Sequence, residues 1–561
     1  MNKILIYQVI TRLFGNDNFC THDGCYAKNG SGKMSDFNEK ALSSIKEMGF
    51  SHIWYTGIIR HATTTDYSKY GIEPQHKAIV KGKAGSPYAI TDYYDVDPDL
   101  ADNPADRVKE FEELVKRTHK AKLKVVIDFV PNHVARQYKS VAKPKGVKDF
   151  GEGDDSTKAF SPSNNFYYLP NENLALSFDA QQGADSPYTE SPAKVTGNDK
   201  FGNYPNISDW YDTVKLNYGV DYMNNHECHF NPIPKTWKQM LDILKYWTGK
   251  GVDAFRCDMA EMVPVEFWAW VIPQIKKINP DILFIAEIYN PNEYNTYFSK
   301  GKFDYLYDKV GLYDQLRRII TSQGSANALT NCWQSLGELA DKMLTFTENH
   351  DEQRLASNFV VGNGHKARPA SIVAATINTN PFMIYFGQEL GEHGMDCEGY
   401  SGYDGRTTIF DYWSVDTIKR WRNNGKYDEE QLTESERDLR SFYCRLLNIC
   451  NTEPAINKGQ FFDLMYANLG SWSLNEHRHY AYFRKSGKDV VLVIVNFDDL
   501  PARIGLKIPD HAFDFLKIPA GKTFEATDLL SGEKESITLE KDRTFTTSVP
   551  GNFAKILKFK L

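Results

Sequence analysis

The chain has 561 residues, of which 41% are hydrophobic and 25% charged, with a formal net charge of −7. This length suggests two to four structural units, and the composition is that of a large globular protein. The acidic balance argues against a nucleic-acid surface, which needs a basic stripe, and no run approaches the ~20 apolar residues of a membrane span.

Aromatic residues make up 13% of the chain, with 10 Trp, 32 Tyr and 33 Phe. That richness suits a sugar site and a large core equally, and core packing is the simpler reading of any single ring. The 8 cysteines are too few for a disulfide framework, although Cys20 and Cys25 are close enough in sequence to pair. His226, Cys228 and His229 cluster without a second ligand pair at zinc spacing, so no metal site is expected there. The opening MNKILIYQVITRLFG lacks a long apolar stretch and a small-residue cleavage site, and it enters a strand-like run, Ile4–Ile10, almost at once. The expectation is a cytoplasmic protein, though a chain trimmed of its signal would read the same.

From residue 1 to about 450, short apolar runs alternate with amphipathic stretches, the pattern of parallel βα units. After Ile4–Ile10 comes a helix-like segment, Asp36–Met48, with Ala41, Leu42, Ile45 and Met48 on one face. The strand-like run 51–57 follows it. A second amphipathic segment, Ala105–Ala121, precedes KVVIDFV at 124–130. The runs 252–258, 282–288, 343–348 and 382–387 repeat the theme. Continuous apolar runs imply strands covered on both faces. A doubly wound sheet fits the pattern too, but length and unit count favour a (β/α)₈ TIM barrel.

Residues 134–221 break this rhythm, being polar and rich in Gly, Asn, Ser, Asp and Pro. So long a structureless loop is improbable in a compact domain, and an irregular inserted domain after the third strand is expected instead. From about residue 452 the helical period ends, and 489–497, 502–508 and 553–561 read as strands of a C-terminal antiparallel β-sandwich. The expected division is therefore a barrel of 1–133 and 222–451, an insertion of 134–221 and a sandwich of 452–561.

In such barrels the catalytic groups sit at the C-terminal ends of the strands. Here Asp128, Asn132 and His133 close one strand, and Arg256 and Asp258 the next. Glu287 closes the one after, and His350 and Asp351 follow a later one. A single such residue is usually a solvated strand end. Four strands ending in ionisable groups are costly unless those groups converge on a substrate.

The runs VIDFVPNH (126–133), GVDAFRCD (251–258), FIAEI (284–288) and FTENHD (346–351) resemble, in order, the four signature regions of the α-amylase family, glycoside hydrolase family thirteen. YFGQELG (385–391) is similar to the family's last-strand motif. The resemblance implies a retaining glycosidase with Asp258 as nucleophile, Glu287 as proton donor and Asp351 as third carboxylate. It also implies that His133 and His350 bond the sugar, that Asp128 holds Arg256, and that Tyr88 stacks on the sugar. A core role for Tyr88 stays open, and Asn132 is expected to be structural.

Physical chemistry agrees with those roles. Retention needs two carboxyls about 5–5.5 Å apart. Arg256 and Asp258 share a face of a strand, so the guanidinium favours an ionised nucleophile. Glu287 follows the apolar run LFIA, where desolvation favours a protonated acid.

Two positions depart from the family pattern. Glu261 and Met262 stand where Lys-His often contacts the leaving-group side. Lys215 stands where the family usually has an Asp that, with the residue matching Asn132, helps hold a structural calcium. An ammonium cannot ligate a cation, so no calcium and no other cofactor is expected. The expected activity is hydrolysis of α-1,4-glucosidic bonds in starch-like glucans or maltooligosaccharides. Transglycosylation on the same intermediate is the alternative, and a non-catalytic scaffold is the remote one, disfavoured by the complete carboxylate trio. The expected partner is a sugar chain, and oligomeric state is not legible.

Overall fold

The computed structural model describes residues 3–18, 24–178, 183–394, 400 and 402–561. Cys20, one half of the possible Cys20–Cys25 pair, lies outside the described residues.

Eight short parallel strands close into a barrel: β1 (Leu5–Ile10), β2 (His52–Thr56), β3 (Lys124–Phe129), β4 (Ala254–Cys257), β5 (Leu283–Ala286), β6 (Tyr305–Tyr307), β7 (Met343–Phe346) and β8 (Phe382–Tyr385). β1 pairs with β8 on one side and β2 on the other, which completes the ring. Every residue of β1 and β2 is buried, as the unbroken apolar runs require. The sequence reading lacks β6. Its run, FDYLYD, is three residues of strand between two aspartates, too short to stand out by periodicity.

Each strand sends at least one apolar side chain to the barrel axis. Ile6, Trp54, Val126, Ala254, Ile285, Tyr307, Leu344 and Met383 pack together there with Tyr313 and Phe346. Because side chains alternate along a strand, the next inward position lies two residues on, at the C-terminal mouth. Those positions include Gln8, Asp128 and Arg256 on β1, β3 and β4, and Glu287 one residue past β5. The alternation that fills the barrel floor with hydrocarbon thus delivers polar groups to its mouth.

The outer helices bury the faces their periodicity marks. Helix Glu39–Met48 buries Ala41, Leu42, Ile45 and Met48. Asn38 caps it by accepting from the Lys40 and Ala41 N–H groups, and Gly49 ends it at φ 113°, a left-handed conformation that favours glycine. Helix Arg107–Lys120 buries Phe111, Leu114, Val115 and Thr118. No helix of the described residues is long and apolar enough to cross a membrane.

Between β3 and helix Lys235–Gly249 the chain forms only two- and three-residue strands. His133–Ala135 pairs with Thr213–Lys215, Tyr168–Leu169 with Ala193–Lys194, and Val220–Asp221 with Glu227–Cys228. The last hairpin straddles residues 221 and 222. With so little regular structure, polar side chains carry the insertion. Arg136 pairs with Glu190 at 2.7 Å, and Asp154 accepts from the Asn165 and Phe166 N–H groups and from Lys235.

The C-terminal region is an antiparallel six-stranded sheet in the order Gln460–Asp463, His479–Ser486, Asp489–Asn496, Phe553–Lys560, Lys522–Asp528 and Lys534–Leu539. A two-stranded sheet, Ala502–Lys507 with Thr544–Val549, packs against it to make a sandwich.

Candidate active site

Arg256 is the hub of the barrel mouth. It is 1% exposed. Its Nη1 lies 2.7 Å from Asp258 Oδ1 and 3.4 Å from Asp128 Oδ1, and its Nη2 lies 2.6 Å from Glu287 Oε1. Nε donates to the Tyr307 hydroxyl at 3.2 Å, and the guanidinium carbon stands 5.3–5.5 Å from the rings of Trp54, Tyr88 and Tyr307. One cation therefore serves three carboxyls. Asp128 is the loosest of the three, and its better bond is from Trp54 Nε1 at 2.9 Å.

The reason for this convergence is strand register. Arg256 sits beside Asp128 on β3 and Ile285 on β5. Asp258 follows β4 by one residue, its N–H donating to Phe129 O at 2.9 Å, and the Glu287 N–H donates to Cys257 O at 3.1 Å. Met259 then turns into the left-handed region, φ 43°, a conformation costing roughly 1–2 kcal/mol for a residue with a side chain. The turn aims its N–H at Glu287 Oε2, 2.8 Å away. Tyr289, two residues beyond Glu287 on the same face, donates to Oε1 at 2.8 Å. Glu287 thus meets a guanidinium, a phenol and an amide, a polar setting where the preceding LFIA suggested an apolar one.

Burial, with Glu287 and Asp128 close by, pushes the Asp258 carboxyl well above its usual range, and Arg256 opposes that rise. Burial likewise raises Asp128 to about 7 against the pull of Arg256. Asp258 and Asp128 are thus both raised by burial while sharing the one cation that opposes the rise. Arg256 does favour an ionised Asp258, as its position in the strand suggests, but desolvation is the larger effect.

His350 receives Gln8 Nε2 at Nδ1, 2.8 Å, while its Nε2 faces the Tyr88 hydroxyl at 2.5 Å and Asp351 Oδ2 at 3.1 Å. Burial and Arg256 lower its pKa to about 3, so it is neutral. Tyr88 lines the cavity with its ring stacked on His350, centroids 5.2 Å apart. Asp351, with 43% of its side chain exposed, is the most accessible of the carboxyls. His133, lowered to about 3 by burial and by Lys215 and Lys81, lies 5.2 Å from the Trp210 ring.

Asn132 stands behind His133, its Nδ2 3.2 Å from His133 Nδ1. Its Oδ1 accepts from Lys215 Nζ at 2.9 Å and its Nδ2 donates to Gly197 O at 2.7 Å. Lys215, 2% exposed, also pairs with Asp199 at 2.5 Å. The ammonium bridges barrel and insertion, and these residues do not fit a divalent cation, since a fixed cation already takes the oxygen donors. Among the described residues no group of three or more His, Cys, Asp or Glu is placed to hold a metal. Glu261 binds the Asn290 N–H at 3.0 Å, and Met262 lies in the turn Ala260–Met262.

A cavity of about 270 Å³ opens above Asp258, Glu287 and Asp351, lined also by Tyr88 and His133. Its lining includes residues the sequence reading missed: Lys81, Trp210, Asp212, Met259, Tyr289 and Phe410. Tyr289 and Met259 carried a signal, being two residues from Glu287 and next to Asp258. The others come from loops whose path no periodicity reveals.

A family model described as the alpha amylase catalytic domain matches residues 27–441. The chain is 22% identical over 511 residues to alpha-amylase MalA of Haloarcula japonica, covering 90% of this chain and 56% of that protein. It thus spans little more than half of that relative's length. It is 24% identical over 397 residues to alpha-amylase 3 of Dictyoglomus thermophilum, covering 66% and 68% of the two chains. It is 21% identical over 496 residues to the alpha-1,4-glucan:maltose-1-phosphate maltosyltransferase of Picrophilus torridus, covering 86% and 61%. Among solved structures it superposes on a maltogenic alpha-amylase from Thermotoga neapolitana with a TM-score of 0.62 at 19% identity, covering 100% of this chain and 99% of that one. With the family model spanning most of the chain and the barrel and sandwich in place, this protein belongs to the alpha-amylase family of glycosidases and transglycosylases.

Proposed function

We propose that this chain is a retaining glycoside hydrolase that cleaves α-1,4-glucosidic bonds in starch-like glucans or maltooligosaccharides. The observation that carries the reading is the single Arg256 guanidinium, hydrogen-bonded to Asp258 through Nη1 and ion-paired with Glu287 at Nη2. Such a grip holds two carboxyls together at one cavity, as double displacement requires.

Asp258 attacks the anomeric carbon, and Glu287 gives its proton to the departing oxygen. Water, activated by the same Glu287, then releases the covalent glycosyl-enzyme. Asp351 stabilises the oxocarbenium-like charge and binds hydroxyls. Neutral His350 and His133 bond the sugar, and the Tyr88 ring packs against it. Asp128 and Asn132 support the site. We assign catalysis to residues 1–133 and 222–451, the cavity's inner wall to the insertion 134–221, and a separate sandwich to 452–561.

Product profiling on soluble starch and maltoheptaose tests the reading. Shorter maltooligosaccharides, released as the α-anomer, are expected. The maltosyltransferase among the relatives favours a second reading, transfer to an acceptor sugar. Products longer than maltoheptaose would establish it.

A further inference from the structure

Asp212 is a buried carboxylate that the mechanism does not use. It is 1% exposed and lines the cavity, and among the described residues neither oxygen has a hydrogen-bond partner. It pairs with Lys81, whose Nζ lies 3.3 Å from Oδ1. A buried carboxylate left with open acceptor sites is costly. The cost is offset when a ligand fills the cavity with hydroxyl donors.

Barrel order says which end of the cavity this is. Glu287 and Tyr289 lie just past the C-terminal end of β5. Lys81 lies in the segment between β2 and β3, Phe410 follows β8, and both flank β1, which stands across the ring from β5. The two segments are fastened together above β1. The Ala84 N–H donates to Phe410 O at 2.9 Å, and the Lys83 N–H to Asp411 Oδ1 at 3.1 Å. Arg12, just after β1, donates to Gly85 O and Ile409 O. Gly82, at φ +62°, packs so close that a Cβ would lie 2.3 Å from Phe410 O. Asp212 completes the wall from the insertion.

We propose that Asp212 and Lys81 form an end wall that binds the non-reducing terminal sugar, so that the enzyme works from chain ends. The inference rests on the hydrolase reading above, because Glu287 as proton donor puts the leaving group at β5. The far side of the bound sugar then points at the wall. The Asp212 oxygens accept from two hydroxyls of the terminal unit and Lys81 donates to a third oxygen. At about 270 Å³ the cavity falls below the roughly 300–1,000 Å³ usual for ligand pockets. It suits the tip of a chain, and a continuing polymer would have to pass through the Lys81–Asp212 pair.

The test compares p-nitrophenyl α-maltopentaoside with the same compound carrying a 4,6-O-benzylidene block on its non-reducing sugar. Sites built to bond a hydroxyl reject analogues lacking it by large factors, so the block should cost about tenfold or more in kcat/KM. Asp212→Ala, which opens the wall, should bring the two substrates closer by raising KM for the free one and easing entry of the blocked one. Lys81→Met is the second variant should Asp212→Ala fail to fold. A merely structural Asp212 would lower activity on both substrates equally. A block that costs the wild-type enzyme less than about tenfold overturns the end wall and leaves the hydrolase reading standing. If the folded enzyme cleaves neither substrate nor maltoheptaose, the hydrolase reading falls and the end wall with it.

Discussion

Arg256 Nη1 stands 2.7 Å from Asp258 Oδ1 while Nη2 of the same guanidinium stands 2.6 Å from Glu287. The nucleophile and proton donor we propose therefore share one fixed cation at 1% exposure. Removing one partner from a buried charge cluster leaves the others uncompensated, at roughly 3–5 kcal/mol. Arg256→Ala should lose about that much stability in urea unfolding and nearly all activity. Arg256→Lys should fold better yet stay at least about 100-fold impaired, because an ammonium cannot reach both carboxyls in the planar fork geometry. Near-normal turnover in Arg256→Lys would count against the shared grip.

The pH profile follows from the crowded carboxyls. Burial and like charge raise Asp258, and an ionised Asp258 is needed for attack. Activity should therefore rise with pH along an acid limb that lies above the ordinary carboxylate range of about 4. Asp128 is one of the charges raising Asp258, so Asp128→Asn should move the limb to lower pH. A limb that stays put or moves upward would contradict that coupling.

Asp128 also carries a stability signature. Its pKa rises from 3.8 unfolded to about 7 folded. Between those values the folded protein holds a proton that the unfolded chain releases, so this group's contribution falls as pH rises from about 4 to about 7. The urea midpoint of the wild type should drop across that window more than that of Asp128→Asn. Parallel curves for the two proteins would show that Asp128 is ionised throughout.

Lys215 makes a prediction about metal. Its ammonium bonds Asn132 Oδ1 at 2.9 Å and Asp199 at 2.5 Å, in the place where the family resemblance implies calcium. Dialysis against a chelator should leave both melting temperature and activity unchanged. Lys215→Ala should destabilise the protein by about 1–3 kcal/mol, the cost of unpaired buried polar groups. Stoichiometric bound calcium, with activity lost on its removal, would refute the ammonium bridge.

Much of this was legible in the sequence, for identifiable reasons. The i, i+2 step from Val126 to Asp128, from Ala254 to Arg256 and from Ile285 to Glu287 is fixed by strand geometry once the strands are found. The buried face of helix Glu39–Met48 follows from its 3.6 period in the same way. β6 was not legible, because three residues give no period, and Tyr307, which bonds Arg256, went with it. Lys81, Asp212 and Phe410 were invisible for another reason. They meet only through the path of three separate loops, and no local pattern records that path. The polar surroundings of Glu287 were missed because Met259 donates a backbone N–H through a left-handed turn, which side-chain identity does not announce.

Glu287 as proton donor is tested by substrate choice. Glu287→Gln should slow maltooligosaccharides by about 100-fold or more, the usual scale of general-acid help. An aryl glycoside with an activated leaving group should suffer far less in the first step. Equal losses on both would assign the proton to another group.

The central claim is that Asp258 attacks the sugar directly. The most direct measurement is NMR of the first product from a short maltooligosaccharide, taken before mutarotation mixes the anomers. Two displacements through Asp258 predict the α-anomer, with Asp258→Asn folded but slower by several orders of magnitude. A β-anomer as first product would contradict the account.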